Sequence, residues 1–187
     1  MLKTEELKLV SEWDKTFPQS EKVGHKKVTF VNRYGITLAA DLYKPKNASG
    51  KYPAIAVSGP FGAVKEQCSG LYAQTMAERG YLTIAFDPSF TGESGGYPRF
   101  MASPDINTED FMAAVDFLSV REDVDPDKIG IIGICGWGGM ALNAAALDTR
   151  IKATVASTMY DLTRANANGY FDSEDSEEAR YAKKQSL

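Results

Sequence analysis

The chain has 187 residues, a net charge of −4, and 43% apolar against 25% charged residues. That length holds one domain with a sizeable core rather than two, and the balance is that of a soluble globular protein. The lack of a clustered Lys/Arg block argues against nucleic acid as a partner, because phosphate binding needs one.

The opening stretch MLKTEELKLVSEWDK is charged throughout and has no apolar centre of the signal-peptide kind. No apolar run approaches the roughly 20 residues needed to cross a bilayer. A cytoplasmic location is therefore expected, with Cys68 and Cys135 both as thiols. Thr4 to Lys15 sets Leu7, Val10 and Asp14 on one side and Leu9 and Trp13 on another, which predicts a weak helix before Pro18.

HKKVTFVNRYG and ITLAADLYKP alternate about a turn at Tyr34-Gly35 and predict an antiparallel hairpin. NASGKYP is a loop. AIAVSG, Ala54 to Gly59, is a short continuous apolar run of the kind found in strands buried on both faces. A helix is predicted from about Glu66 to Arg79, closed by Gly80 where a left-handed cap is favoured. YLTIAFD is a second buried strand and PSFTGESGGYPRF a loop. Asn107 is placed as the cap of the helix TEDFMAAVDFLSVR, whose Phe111, Ala114, Val115 and Leu118 recur at helical spacing. KIGIIGIC is a third buried strand, an Ala-rich helix runs from Gly139 to Leu147, and IKATVASTM is a fourth strand.

Alternation of strands and helices after a hairpin predicts an α/β fold: a mostly parallel sheet with an antiparallel leading hairpin and helices on both faces. The expected organisation is a helical lead-in over 1–24, the α/β core over 25–162, and a polar tail over 163–187 that opens a missing cap or C-terminal part. The tail can form a charged helix from Ser173 to Lys184, and its DSEDSEE run is a solvated face.

Gly133-Ile134-Cys135-Gly136-Trp137-Gly138-Gly139 lies between a buried strand and a helix. A nucleophile there sits on a tight strand-to-helix turn, and a helix N-terminus favours a thiolate. The amide of Gly136 would face a developing oxyanion. The second donor in such sites comes from the loop after the earlier buried strand, here SGPFGAVKE, which makes Phe61 the donor residue.

These segments resemble the α/β-hydrolase superfamily, and within it the dienelactone-hydrolase-like group. The resemblance rests on the hairpin, AVSGPFG, FDPSFTGESGG and DPDKIGIIGICGWGG, over roughly residues 25 to 162. It implies hydrolysis of carboxylic esters or similar acyl substrates, with Cys135 as nucleophile and Asp161 at a place some members use for the triad acid. It implies no cofactor and no metal. Trp137 departs from the pattern, standing where a small residue is usual. A second departure is chemical: the superfamily orders its triad nucleophile, acid, histidine, and no histidine follows Cys135.

The sole histidine, His25, precedes the first strand and is a surface or packing residue at the sheet edge farthest from the elbow. Cys68 reads as packing. Asp87 is expected to anchor the loop after it through backbone hydrogen bonds, and Glu93 to do the same; as alternative bases both are weak. The chain is therefore expected to be incomplete or inactive alone. A non-catalytic binding protein is the alternative. A dinucleotide site is a third reading, since GWGGMA, Gly136 to Ala141, fits G-x-G-x-x-A. In the resembled fold a later strand covers Ile151 to Met159. Without it that strand is an exposed edge, which predicts a homodimer or association with a fragment supplying the missing strands.

Overall fold

The computed structural model describes residues 5–46 and 49–186. Six strands form one sheet: β1 (Val23–Val31), β2 (Thr37–Pro45), β3 (Tyr52–Ser58), β4 (Leu82–Phe86), β5 (Val124–Ile134) and β6 (Ile151–Ser157), in the spatial order β1-β2-β4-β3-β5-β6. β1 and β2 pair antiparallel, β2 joins β4 antiparallel, and β4, β3, β5 and β6 run parallel. This is the mostly parallel sheet with a leading hairpin that the alternation predicts.

The helices are α1 (Cys68–Glu78), α2 (Pro104–Ser119), α3 (Gly136–Leu147), α4 (Leu162–Asn168) and α5 (Glu177–Gln185). α2 and α3 cover one face, where Phe86, Phe111, Leu118, Ile129, Ile131, Met140 and Ala141 form the larger apolar cluster. Phe111, Val115 and Leu118 are fully buried from α2, each contributing about 1.5–3 kcal/mol. On the other face α1 sets Ala73 and Ala77 against Ile55, Val57, Ala85, Ile132 and Ile134. The alternation along β5, Ile129 and Ile131 to one side and Ile132 and Ile134 to the other, is the period-2 rule of a strand buried on both faces.

Three expectations are corrected. Residues 5–15 form no helix. This segment is a strap across β1 and β2, held by Trp13 stacked edge-on against Phe17 (5.8 Å) and His25 (5.2 Å), and by ion pairs from Asp14 and Lys15 to Lys27 and Asp41. Tertiary contacts outweigh a weak local period there. α2 begins before Asn107: Ser103 is the cap, its Oγ accepting from the Ile106 amide, and Pro104 follows at the first helical position. Asn107 is fully buried inside the helix. α3 begins at Gly136 rather than Gly139, directly after Cys135.

The charged C-terminal helix forms as α5, capped by Ser176, with Glu177 and Glu178 in its first turn, Lys183 and Lys184 in its last, and no residue buried. Among the described residues, no helix is long and apolar enough to cross a membrane.

Candidate active site

β5 ends at Ile134, and Cys135 turns the chain into α3 with φ 60° and ψ −131°. A non-glycine residue adopts this conformation only under strain, at a cost of order 1–3 kcal/mol, and such strain concentrates at functional sites. Backbone bonds hold the turn: the Cys135 amide donates to the Ser157 carbonyl of β6 (2.8 Å), and the Gly138 amide donates to the Cys135 carbonyl (2.9 Å). Gly133 is required below it, because a Cβ there would lie 2.2 Å from the Trp137 carbonyl oxygen.

Trp137 lies in the first turn of α3. Its side chain is 2% exposed and sits between Phe61 (6.0 Å between ring centroids) and Phe111 (6.1 Å), filling the core under the elbow. The dinucleotide reading fails on the same geometry. Gly136 to Ala141 is helix, with Trp137, Met140 and Ala141 buried, and leaves no open glycine loop for a pyrophosphate.

The Phe61 loop follows β3 and meets the elbow. The Phe61 ring lies directly against Gly136, so close that a Cβ on Gly136 would fall 2.0 Å from it. The Phe61 and Gly136 amides take no backbone hydrogen bond among the described residues, Gly136 being the first residue of α3. Beside them a pocket of about 460 Å³ is lined by Phe61, Val64, Phe100, Met101, Arg99 and Trp137 among others, all at the C-terminal ends of the strands. This is where open α/β sheets place their ligands.

Ion pairs that no local pattern foretold fix this loop. Lys65 has no exposed side-chain surface, and its Nζ meets Asp87 (2.8 Å), Glu93 (2.7 Å) and Glu66 (2.5 Å). Asp87, equally buried at the end of β4, accepts from the Lys65 amide through Oδ1 (2.8 Å) and from the Glu93 amide through Oδ2 (2.9 Å). Asp87 thus anchors the loop after it, as expected, and ties it to the Phe61 loop as well. Burial works to lower the pKa of the Lys65 ammonium, but the Asp87 charge and the hydrogen bonds outweigh it and raise it above 10.5.

Glu93 holds the strap: its Oε1 accepts from the Val10 amide (2.6 Å), and its Oε2 pairs with Lys27 (2.7 Å) as well as Lys65. Three carboxylates, Asp14, Glu66 and Glu93, converge here. Lys27 and Lys65 stand among them and supply the opposing charge. Burial pushes the Glu93 carboxyl up, and the Lys27 and Lys65 hydrogen bonds override it, leaving its pKa below 4.5. Farther from the elbow, Asp110 accepts from the Ser89 amide, Ser89 Oγ, Asn32 and Asn107, clamping the end of β4 to α2.

The remaining named residues do not join the elbow. His25 is a packing residue on β1, its Nε2 2.7 Å from Asp41 Oδ1, and three strands separate β1 from β5. Asp161 is the exposed cap of α4, accepting from the Arg164 amide (3.0 Å) and Thr163 Oγ1 (2.7 Å). No imidazole stands opposite it among the described residues. Cys68 is half-buried at the start of α1, its Sγ 3.9 Å from the Gly59 carbonyl.

One residue beside Cys135 escaped the sequence reading. Tyr160 follows β6, and its hydroxyl interacts with Tyr170 and with the Cys135 thiol. Its pKa is raised above 10.0, first by the hydrogen bond with Tyr170, then by burial, and further by the thiol. The two tyrosine rings are 5.7 Å apart.

A mostly parallel sheet with a leading antiparallel hairpin and helices on both faces is the fold of the α/β-hydrolases. Residues 34–185 match the X-Pro dipeptidyl-peptidase (S15) family, and the chain belongs to that family. It is 71% identical over 169 residues to the Pseudomonas aeruginosa protein PA2218, covering 90% of this chain and 46% of that relative. The crystal structure of PA2218 superposes with a TM-score of 0.94 at 66% identity, over 98% of this chain and 57% of that one. The thiohydrolase aneE of Aspergillus aculeatus is 33% identical over 137 residues, 73% of this chain and 42% of the relative. A dienelactone hydrolase from Klebsiella pneumoniae shares the fold at a TM-score of 0.62 and 24% identity, over 73% of this chain and 60% of that one. The chain spans about half the length of the curated relatives it matches.

Proposed function

We propose that Cys135 is the nucleophile of an acyl-transfer site that takes thioesters or carboxylic esters, with the Phe61 and Gly136 amides as its oxyanion donors. The left-handed turn at Cys135, between a buried strand and a helix N-terminus, carries this reading. The relatives' names, thiohydrolase and acyltransferase, bring thioesters into the substrate class beside oxygen esters. The pocket lined by Phe61, Phe100, Met101 and Trp137 suits an apolar acyl group.

In this reading the Cys135 thiolate attacks the acyl carbon. A C–S bond forms and the carbonyl oxygen takes the negative charge against the two amides; as the carbonyl re-forms, the bond from the acyl carbon to the leaving sulfur or oxygen breaks, and the released thiolate or alkoxide takes a proton from water. Tyr160, a phenol protonated at neutral pH, donates to the thiolate and does not act as the base. Water attack on the acyl-cysteine needs a general base, and the one imidazole of these 187 residues is engaged with Asp41 at the far edge of the sheet. The chain by itself therefore acylates and stalls.

Treatment with p-nitrophenyl acetate, read by p-nitrophenol release and by intact-protein mass, tests this. The expected result is one slow burst, a single acetyl adduct on Cys135, no sustained turnover, and loss of both burst and adduct in Cys135→Ala. An adduct that persists in Cys135→Ala would remove the cysteine from its role.

A further inference from the structure

The elbow has a second pocket beside it. β5, which runs into Cys135, lies between β3 and β6 in the sheet. The loop after β3 carries Phe61 and the apolar pocket described above. The chain after β6 carries Tyr160, and there a pocket of about 330 Å³ is lined by Tyr160, Arg164, Ala165, Tyr170, Phe171 and Asp172 among others. Among the described residues the two pockets share no lining side chain, so Cys135 has one pocket on each flank. The charges of the second are paired within its own wall: Arg164 donates through Nε to Asp172 Oδ1 (2.8 Å), and Asp161 caps α4. The rest of the lining is aromatic or small, and Phe171 stands fully exposed on a left-handed backbone (φ 57°).

Tyr160 joins this pocket to the elbow. The bond from the Cys135 amide to the Ser157 carbonyl (2.8 Å) fixes the end of β6 beside the turn. Three residues on, the Tyr160 hydroxyl meets both the Cys135 thiol and Tyr170, and the two tyrosine rings are 5.7 Å apart. A hydroxyl in contact with the attacking sulfur is also beside the carbon it attacks, and beside the oxygen or sulfur which that carbon releases.

We infer that the second pocket receives the leaving group of the substrate, an apolar alcohol or thiol, and that Tyr160 protonates it, with Tyr170 passing on the replacement proton from water. The inference rests on the acyl-transfer reading of Cys135. Its chemistry is set by which group leaves the tetrahedral intermediate. A thiol ionises near about 8.5 and a phenol near about 10, and an alkoxide is a stronger base than either. An intermediate with an unassisted oxygen substituent therefore expels the thiolate and returns to substrate. Protonation of the departing oxygen reverses that order. As the C–O bond breaks, its electron pair stays on the oxygen and the Tyr160 proton goes to the same atom. The Tyr170 proton passes to the Tyr160 oxygen, and water restores Tyr170. Tyr160 is free for this step because Cys135 Sγ, once acylated, no longer carries the charge that held the hydroxyl.

Burst acylation of the full 187-residue chain in a Cys68→Ala background, read by the intact mass of the acetyl adduct, tests this with esters that differ in the leaving group. p-Nitrophenoxide is a weaker base than a thiolate and leaves unaided; phenoxide is a stronger one and needs the proton. Tyr160→Phe should slow acetylation by phenyl acetate about tenfold or more beyond its effect on p-nitrophenyl acetate, a low share of the roughly 10²–10⁴-fold that positioned proton transfer supplies. A change in the thiolate itself is common to both esters and cancels in the ratio. Phe171→Gly, which suits the left-handed backbone, should raise the half-saturating concentration of 2-naphthyl acetate about threefold or more, the worth of one aromatic pair, and leave that of S-ethyl thioacetate unchanged. Equal slowing of both aryl esters by Tyr160→Phe, or no acetylation by phenyl acetate in the chain that keeps Tyr160, overturns the proton transfer. An unchanged half-saturation in Phe171→Gly overturns the pocket assignment. The two readings fail differently. Equal slowing with an adduct that still requires Cys135 removes Tyr160 alone, whereas an adduct that persists in Cys135→Ala removes the nucleophile and this inference with it.

Discussion

Replacing Lys65 by Met should cost about 3 kcal/mol of folding stability. Lys65 and Asp87 have no exposed side-chain surface and meet at 2.8 Å, and breaking a pair of this kind by removing one partner costs roughly 3–5 kcal/mol because a charge is left buried alone. The lower end applies here. Glu93 and Glu66 keep Lys27 at 2.7 and 3.7 Å, and Asp87 keeps the two backbone amides of Lys65 and Glu93. For a domain of this size about 3 kcal/mol lowers Tm by roughly 6–12 °C. Urea titration followed by tryptophan fluorescence measures the loss directly. The double variant Lys65→Met/Asp87→Asn should recover part of it, because the amide carries no charge to strand; contacting pairs couple by about 0.5–3 kcal/mol. The acetylation burst at Cys135 should slow in the single variant, since Lys65 ties the Phe61 loop to Asp87. A loss under about 1 kcal/mol, or a double variant as unstable as the two single changes added, would show that the pair does not hold this loop.

Two further outcomes follow from the geometry. Tyr160→Phe removes the hydroxyl beside Cys135. In a Cys68→Ala background it should slow iodoacetamide alkylation of Cys135 at neutral pH by roughly three- to tenfold, the worth of one ordinary hydrogen bond of about 0.5–1.5 kcal/mol; an unchanged rate would deny Tyr160 its role. Acid should release the strap. Asp14 and Glu93 have folded pKa values held below 3.8 and 4.5, each against a burial effect that the lysine hydrogen bonds outweigh, so their contribution is present above those values and is lost as pH falls through the folded ones. Lys27, which burial would lower but the Glu93 and Asp14 hydrogen bonds raise above 10.5, contributes throughout the neutral range and loses that contribution only as pH rises past its folded value. Urea midpoints should therefore stay flat at neutral pH and fall on the acid side, and Glu93→Gln should flatten that fall. An acid limb of unchanged depth in Glu93→Gln would place the titrating groups elsewhere.

The sheet was legible because its central strands are buried on both faces, and AIAVSG, LTIAF and IGIIGI spell that burial as continuous apolar runs. The elbow was legible for a local reason: Gly133, Cys135 and Gly136 answer backbone demands met within four residues. What failed depended on distant chain. Residues 5–15 have a faint helical period, yet their path is set by His25, Asp41 and Glu93. Asn107 has the chemistry of a cap, but Asp110, Ser103 and the core claim it instead. Lys65 and Asp87 are 22 residues apart, and only the parallel pairing of β3 with β4 brings the loops that carry them together. Tyr160 reaches Cys135 through the register of β5 with β6, which no spacing encodes.

The two faces of the sheet divide stability from chemistry. Under α2 and α3 the core is closed: Phe86, Phe111, Leu118, Ile129 and Met140 are each at most 2% exposed. That cluster reaches the elbow through Trp137, which packs against Phe111, so the strained turn at Cys135 is held by a finished part of the molecule. The face under α1 closes as far as β5, and its outer edge is the exposed strip of β6. Cys135 packs toward this second face, beside Ile132 and Ile134. The turn at Cys135 is therefore shaped from the closed face, whereas the exposed strip of β6 lies on the opposite side of the sheet. Covering the α1 face is then expected to change reactivity at Cys135 far more than it changes the packing beneath Trp137, and near-ultraviolet circular dichroism of Trp137 in a Trp13→Phe background, alongside the alkylation rate, would register the two separately.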